Sequence, residues 1–462
     1  MVLLGFGAAA DKPARPPRPS HAARDASRID TLATREPGPV DARHRRPGMN
    51  RSRATRETGD DGVASAGTGA RPLHGVRVAI AYDGLFPWTI GGAERWYRAL
   101  AEGLVQAGAR VTYLTRLQWD EPPQLDGIEV VAVRGPRELY HSDGTRRADQ
   151  PPRYGAGLFL YLLRNRRSFD ILHLANFPYF SLLAARAALL GTRVPMFVDW
   201  HEIWPASYWT SYGGPVLGRV GYLVQQLCVR LTPQALVFWN RSADRLRAHG
   251  LRSNPVILPG LLRGPSAQVS MGAWQADSSP TVFFSGRHIE DKGVRLLPDA
   301  LALARERISG LRMVVAGEGP QTSLVRARVA ELGLAQSVDF VGKLTDTELT
   351  RQISLAACVV VPSRREGYGM AAVEANANGT PAVVTDGPEN AAVGHIREGR
   401  NGYIVPPTPA GLAAGILKAI DAGHALRLTT LEESTRMTAE HGIGQSVERV
   451  ITLYAQILER AG

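Results

Sequence analysis

Apolar residues in this chain fall into short, nearly continuous runs, separated by longer segments in which they recur every three or four positions. The first run, V-R-V-A-I-A-Y (76–82), reads as a buried strand, followed by a loop, D-G-L-F-P-W-T-I-G-G (83–92). A helix is predicted from Ala93 to about Ala107, with Gly108 as its stop and R-V-T-Y-L-T (110–115) as the next strand. Further strands are expected at 128–133, 170–175, 194–199, 235–239 and 255–258, with helical stretches near 178–190, 216–231 and 241–249. The segment L-P-G-L-L-R-G-P-S-A (258–267) has the Pro, Gly and Ser of a connector. Beyond it the alternation restarts with strands at 281–285, 312–317, 338–342, 358–363 and 381–385, each followed by a helical segment. Thr345 and Glu348 form a capping-box pattern ahead of one of these helices. A strand at 402–405 and helices after Pro409 close the chain.

Strand alternating with helix predicts parallel sheets covered on both faces. The pattern therefore gives an α/β protein of two Rossmann-like, doubly wound parallel-sheet domains facing each other across a cleft. The boundaries read as 75–260 and 261–440, with a C-terminal helix over 441–462 able to pack back toward the first domain. Residues 1–74 are rich in Arg, Pro, Ala, Gly and Asp, lack an apolar period and read as a disordered tail. Met49 lies inside that tail as an alternative start.

The length, 462 residues, suits two or three domains, each able to bury a core. With 44% hydrophobic and 21% charged residues the composition is that of a globular protein. Two cysteines, Cys228 and Cys358, exclude a disulfide framework or a paired-cysteine zinc module. The N-terminus has no basic n-region and no apolar run is long enough to span a bilayer, so the expected location is cytoplasmic. The net charge is +11, yet only Lys12, Lys292, Lys343 and Lys418 among 54 basic residues are lysines. Arginine throughout is what a GC-rich genome writes, and without a zinc finger, RRM signature or recognition helix no nucleic-acid partner is expected.

Four groups of residues sit where strands end. Gly91-Gly92, with Glu94, lie at the entry to the first helix, where backbone N–H groups are free to meet an anion or where the glycines simply form a turn. In S-G-R-H-I-E-D-K-G (285–293), Arg287 and Lys292 stand five apart on a loop and could converge on a diphosphate. Their alternative is a solvated loop with Lys292 paired to Glu290 or Asp291; His288 is expected to face solvent in either case. In P-S-R-R-E-G-Y-G-M-A-A-V-E-A (362–375), Glu366 and Glu374 are eight apart, a little over two helical turns, around the helix start Gly367-Tyr368-Gly369. Carboxylates there suit the hydroxyls of a sugar and a ribose, and the helix start suits a phosphate. Finally, D-W-H-E-I-W (199–204) places His201 after a strand, either bonded to backbone or facing a ligand, with no spacing for a metal. Trp200, Trp204, Tyr208, Trp209 and Tyr212 around it either stack on a sugar ring or lipid head or belong to the core.

The E-x7-E element of Glu366 and Glu374, with S-G-R-x4-K-G upstream and G-G-A-E near the start, resembles the retaining family-4 glycosyltransferases of the GT-B fold. The likeness covers about residues 75–440 and is strongest over 281–406, with A-G-E-G-P (316–320) and G-x-P-A-V-V-T (379–385). It departs from the family at the connector, L-P-G-L in place of P-N-G, and at A-N-A-N-G in place of A-M-A-x-G. The resemblance implies a hexosyl- or other glycosyltransferase of glycan biosynthesis that uses a nucleoside-diphosphate sugar as donor. In it Arg287 and Lys292 would hold the diphosphate, Glu366 the transferred sugar and Glu374 the ribose. Gly367, Tyr368 and Gly369 would offer backbone N–H groups, His201 would lie over the sugar, and Gly91-Gly92 would lie near the phosphates and acceptor. Cations from the chain would replace a D-x-D-bound metal, so neither metal nor cofactor is expected.

The acceptor, a glycan, a lipid-linked sugar or a small molecule, is less legible. The apolar segments 213–231, with Arg219 and Arg230, and 158–167, ending in a basic cluster, are either core helices or partly exposed ones touching the inner membrane face. A sugar-nucleotide epimerase or hydrolase of the same fold, and a non-catalytic protein binding anionic surfaces, are the alternatives.

Overall fold

The structure, a computed structural model, describes residues 71–89, 91–135, 149–262 and 279–461. The expected disordered tail lies outside the described residues as far as position 70, and so does the connector from 263 onward.

The first lobe contains strands β1 (Arg77–Ala81), β2 (Arg110–Arg116), β3 (Ile128–Arg134), β4 (Ile171–Ala175), β5 (Met196–Asp199), β6 (Gln234–Val237) and β7 (Val256–Ile257). They form one parallel sheet in the order β3-β2-β1-β4-β5-β6-β7. Its helices are α1 (Gly92–Gln106), α2 (Gln150–Arg164), α3 (Tyr179–Ala188), α4 (Ala206–Leu231) and α5 (Asn240–Ala248). Ala79, Leu172, Leu174 and Val198 bury one face of the sheet with α2, α3 and α4, while Val78, Ile80, Ile171 and Phe197 bury the other with α1. This period-two alternation between two apolar cores is why the strands read as unbroken apolar runs.

The second lobe repeats the plan with β8 (Thr281–Ser285), β9 (Arg312–Ala316), β10 (Val338–Gly342), β11 (Cys358–Val361), β12 (Arg365–Glu366), β13 (Ala382–Thr385), β14 (Glu389–Asn390) and β15 (Gly402–Val405). Six of these make a parallel sheet ordered β10-β9-β8-β11-β13-β15, and β12 pairs with β14 beside it. The helices are α6 (Leu297–Arg305), α7 (Thr322–Glu331), α8 (Asp346–Leu355), α9 (Met370–Ala377), α10 (Pro409–His441) and α11 (Ile443–Ala461). The capping box opens α8, Thr345 accepting from the Glu348 backbone and Glu348 from that of Thr345. In each sheet the strand order reverses beside the first strand, at β1/β4 and β8/β11. Ligands of such sheets bind beyond the carboxyl ends at that point.

Three elements depart from the sequence pattern. Helix α2 begins eight residues before the apolar segment 158–167 read as a helix, with Pro151 and Pro152 in its first turn, where proline starts helices rather than breaking them. Helix α4 begins ten residues before the expected 216 and runs through Gly214, whose φ of 72° puts a kink there. The small β12/β14 sheet, only two residues wide, was not anticipated.

Helix α11 returns to the first lobe. Val447, Val450 and Tyr454 join the core that holds α1, and Tyr454 OH stands 2.6 Å from His173 Nδ1 on β4. The other ring nitrogen of His173 is 2.9 Å from Asp199 Oδ2, which also accepts from Trp96 Nε1 at 2.6 Å. Burial would raise the Asp199 carboxyl, but His173, His201 and the Trp96 donor outweigh it and hold the group below the usual carboxylate value. With the imidazole proton facing the carboxylate, Tyr454 is the donor to Nδ1. Tyr454→Phe leaves that nitrogen buried without a partner, so we expect a loss of about 1–3 kcal/mol. Urea denaturation checks this as a lower midpoint with an unchanged slope.

Candidate active site

The loops after β1, β5, β8 and β11 converge between the lobes. Gly91 is the N-cap residue of α1 and Gly369 that of α9, and neither helix has a side-chain cap for its free N–H groups. The two helix starts nearly touch: a Cβ at Gly92 would stand 2.9 Å from Met370 Cγ. Gly369 has φ of 91°, a left-handed conformation that admits glycine readily, and so turns the chain from β12 into α9. Opposite, a Cβ on Gly367 would lie 3.0 Å from Glu202 Cγ and 3.1 Å from the His201 carbonyl oxygen. The S-R-R-E-G-Y-G turn of one lobe is thus fitted against the D-W-H-E loop of the other.

Glu366 and Lys292 meet in this crevice. Lys292 Nζ donates to Glu366 Oε1 at 2.6 Å, and Ser363 Oγ donates to the same oxygen at 2.7 Å. The acids beside Lys292 in sequence are engaged elsewhere. Asp291 accepts from Tyr208 OH at 2.5 Å and Glu290 pairs with Arg364 at 3.0 Å, so the local pairing weighed for Lys292 is not formed. Arg287 is exposed on the same loop. His288 does not face solvent: it is fully buried, its Nδ1 2.8 Å from Thr322 Oγ1, and its backbone N–H donates to the Glu318 carbonyl at 3.0 Å. It pins the lysine-bearing loop onto A-G-E-G-P, and burial pulls its pKa below the ordinary value.

Glu374 lies inside α9, whereas Glu366 is in β12, before the helix begins. Their helical spacing is therefore not what relates them, because Gly367 to Gly369 form the turn between. Glu374 lines a cavity of about 300 Å³ with Met370, Thr350 and Asp346, and with Arg95 of α1, which pairs with Asp346 across the lobes. Tyr368 spends its side chain on the linker: its hydroxyl accepts the Leu261 N–H at 2.8 Å, its ring packs on Phe238 and His395, and burial pushes it up to about 12. With its carbonyl taken by His395, only its backbone N–H is left for a ligand.

His201 stacks on Phe238, ring centroids 5.9 Å apart and planes 6° from parallel, and meets Tyr97 edge-on. Burial pulls its pKa below the ordinary value despite the pull of Asp199 and Glu202 in the other direction. Its Nε2 is buried with no hydrogen-bond partner, so the ring is a neutral group with a polar atom unspent. Trp200 and Trp209 are core residues. Trp204 and Tyr208 instead enclose Arg365, whose guanidinium lies 5.0 and 4.0 Å from their ring centres and 3.5 Å from Glu202. The Tyr212 side chain lies outside the described residues. Arg365, Ser363 and His395 were not singled out from sequence. Serine in S-R-R-E, three residues before the carboxylate it touches, was the one local signal.

Residues 91–260 match the family described as glycosyl transferase 4-like domain, and residues 272–437 match glycosyl transferases group 1. A glycogen synthase of Mycobacterium tuberculosis is 27% identical over 381 residues, 77% of this chain and 88% of its own length. Among solved structures, sucrose-phosphate synthase of Thermosynechococcus elongatus superposes with a TM-score of 0.69 at 20% identity, over 83% of this chain and 100% of that one. HepE of Anabaena, solved with UDP and glucose, superposes at 0.61 with 17% identity, over 82% and 100%.

His395 holds the glycine turn from below, its Nε2–H donating to the Tyr368 carbonyl at 2.7 Å, and burial pulls it from 6.5 down to about 4. The unfolded chain binds this proton first, so folding stability falls as pH drops from 6.5 toward about 4 and levels off below. Denaturation midpoints across that range should show the slope, and His395→Gln should make it shallower, with His201 and His288 keeping the remainder.

Proposed function

We propose, for a chain that belongs to the GT-B glycosyltransferases of the family-4-like type, that it moves a sugar from a nucleoside-diphosphate sugar to an acceptor hydroxyl with retention of configuration and without a metal ion. The observation that carries this reading is the Lys292–Glu366 pair, with Glu366 four residues ahead of the uncapped start of α9 and the intervening Gly367 fitted against the backbone of the His201 loop. A cation, a carboxylate and a helix start without a side-chain cap, carried on adjoining loops, suit a diphosphate with a sugar attached.

The reaction breaks the bond between the anomeric carbon and a phosphate oxygen. Negative charge grows on the departing diphosphate and positive charge on the sugar carbon. Lys292, Arg287 and the first-turn N–H groups of α9 stabilise the former, and such preorganised donors are often the largest single contribution to rate. Arriving phosphates compete with Glu366 for Lys292, and the carboxylate so released accepts sugar hydroxyls. His201, neutral and with Nε2 unspent, gives or takes a hydrogen bond at the sugar. Glu374 takes the ribose. The acceptor attacks from the face the diphosphate leaves, and a phosphate oxygen receives its proton, so no side chain must serve as base. Charge compensation by the chain's own cations and dipoles supports metal independence.

The test supplies UDP-, GDP- and ADP-sugars carrying a labelled sugar, with glycan, lipid-linked and small-molecule acceptors. Labelled product with retained anomeric configuration is expected, unchanged by EDTA. Lys292→Ala and Glu366→Ala should each lower kcat by about 100-fold or more. Donor consumption without product points instead to an epimerase or hydrolase, and full activity in both variants places the chemistry elsewhere.

A further inference from the structure

We propose that the first lobe docks on an anionic lipid surface through the outer side of α2, α3 and α4. The three helices contain five arginines, Arg153, Arg164, Arg186, Arg219 and Arg230, all exposed, and no aspartate or glutamate. The opposite side of the same sheet is different. There α1 carries Glu94 and Glu102 against Arg95 and Arg98, and α11 carries Glu448 and Glu459 against Arg449 and Arg460. One side of the lobe is balanced; on the other Arg153 pairs with Asp149 at the start of α2 and Arg247 with Asp244 on the neighbouring α5, while Arg164, Arg186, Arg219 and Arg230 have no acidic residue on their own helices, so that side stays cationic.

The cationic side also exposes apolar surface. Six of the thirteen large hydrophobic side chains exposed among the described residues lie there. On α4, Val216 and Leu223 are 72% and 58% exposed and Leu227 is 47% exposed. With Arg219 and Arg230 they recur every three or four positions and so form one stripe along the helix. On α2, Leu160 and Leu163 stand beside Arg164, and Arg166 just after the helix donates to the Leu190 carbonyl at 2.9 Å, joining the ends of α2 and α3 into one patch. Soluble surfaces rarely leave aliphatic residues together without a partner.

Charge decides among partners. A second copy would bring arginine against arginine in a two-fold pairing, which repels. A nucleic acid would satisfy the arginines and leave the leucines in water. Anionic headgroups accept from guanidinium groups while their acyl boundary takes the leucines, the combination an interfacial helix uses. No described helix is long and apolar enough to cross a membrane, so the contact is one of surface. Of the two outcomes left open by the sequence for 158–167 and 213–231, exposure of part of each segment agrees with a lipid contact.

The full chain should sediment with vesicles of phosphatidylglycerol and phosphatidylcholine and not with phosphatidylcholine alone. Arg164→Glu with Arg219→Glu should weaken that binding about ten-fold or more, and Leu223→Ser with Leu227→Ser several-fold. All four positions are exposed, and unchanged circular dichroism and thermal midpoint will show the variants folded. The variants keep residues 1–70, so binding that survives both pairs of substitutions overturns the proposal. It is equally overturned by absent binding to the anionic vesicles, by equal binding to neutral ones, or by a dimer that the same substitutions dissociate. Sedimentation needs no donor sugar, so its failure leaves the transfer reaction untouched, and failure of transfer leaves this surface untouched.

Discussion

Lys292 is a cation whose sequence neighbours give it no partner. Asp291 is taken by Tyr208 of the first lobe and Glu290 by Arg364, and the ammonium therefore crosses to Glu366, 74 residues away. That pair joins two loops that could otherwise move independently, the one after β8 and the one after β11. It also leaves each charge compensated by a partner that a ligand could replace. An ion pair of this kind, partly open to solvent, contributes little to stability. Its value is positional, since it keeps a cation and a carboxylate ready at an uncapped helix N-terminus.

The lobes hold this arrangement from two sides. Tyr208 and Trp204 reach into the second lobe around Arg365 and Asp291, next in sequence to Glu366 and Lys292 respectively. At the far end of the chain α11 binds the first lobe through Tyr454, His173 and Asp199, two residues before His201. Both contacts bear directly on loops that line the crevice. Separating the lobes would break the Tyr208–Asp291 bond and the aromatic contacts of Arg365, both next in sequence to the proposed site residues.

Much of this was legible from pattern. Parallel strands buried on both faces leave runs such as C-V-V-V and T-V-F-F that hardly admit another reading, and the glycines at 91, 92, 367 and 369 marked the two helix starts. The first halves of α2 and α4 were missed, because two prolines look like breakers when their place in the first turn is unknown and G-G-P reads as an end where the chain only kinks. The long-range pairs were beyond reach. Nothing near His173 announces Tyr454, 281 positions on, and nothing in R-R-E shows that Arg365 enters an aromatic pair. His288 misled for a related reason: a polar residue in a loop reads as solvated until the loop packing over it is known.

The most direct measurement is a crystal structure of the protein bound to the nucleoside diphosphate it prefers. The account predicts the two phosphates against Lys292, Arg287 and the first-turn N–H groups of α9, with the lysine drawn off Glu366. A diphosphate bound anywhere else, or a lysine still seated on that glutamate beside a filled site, would contradict it.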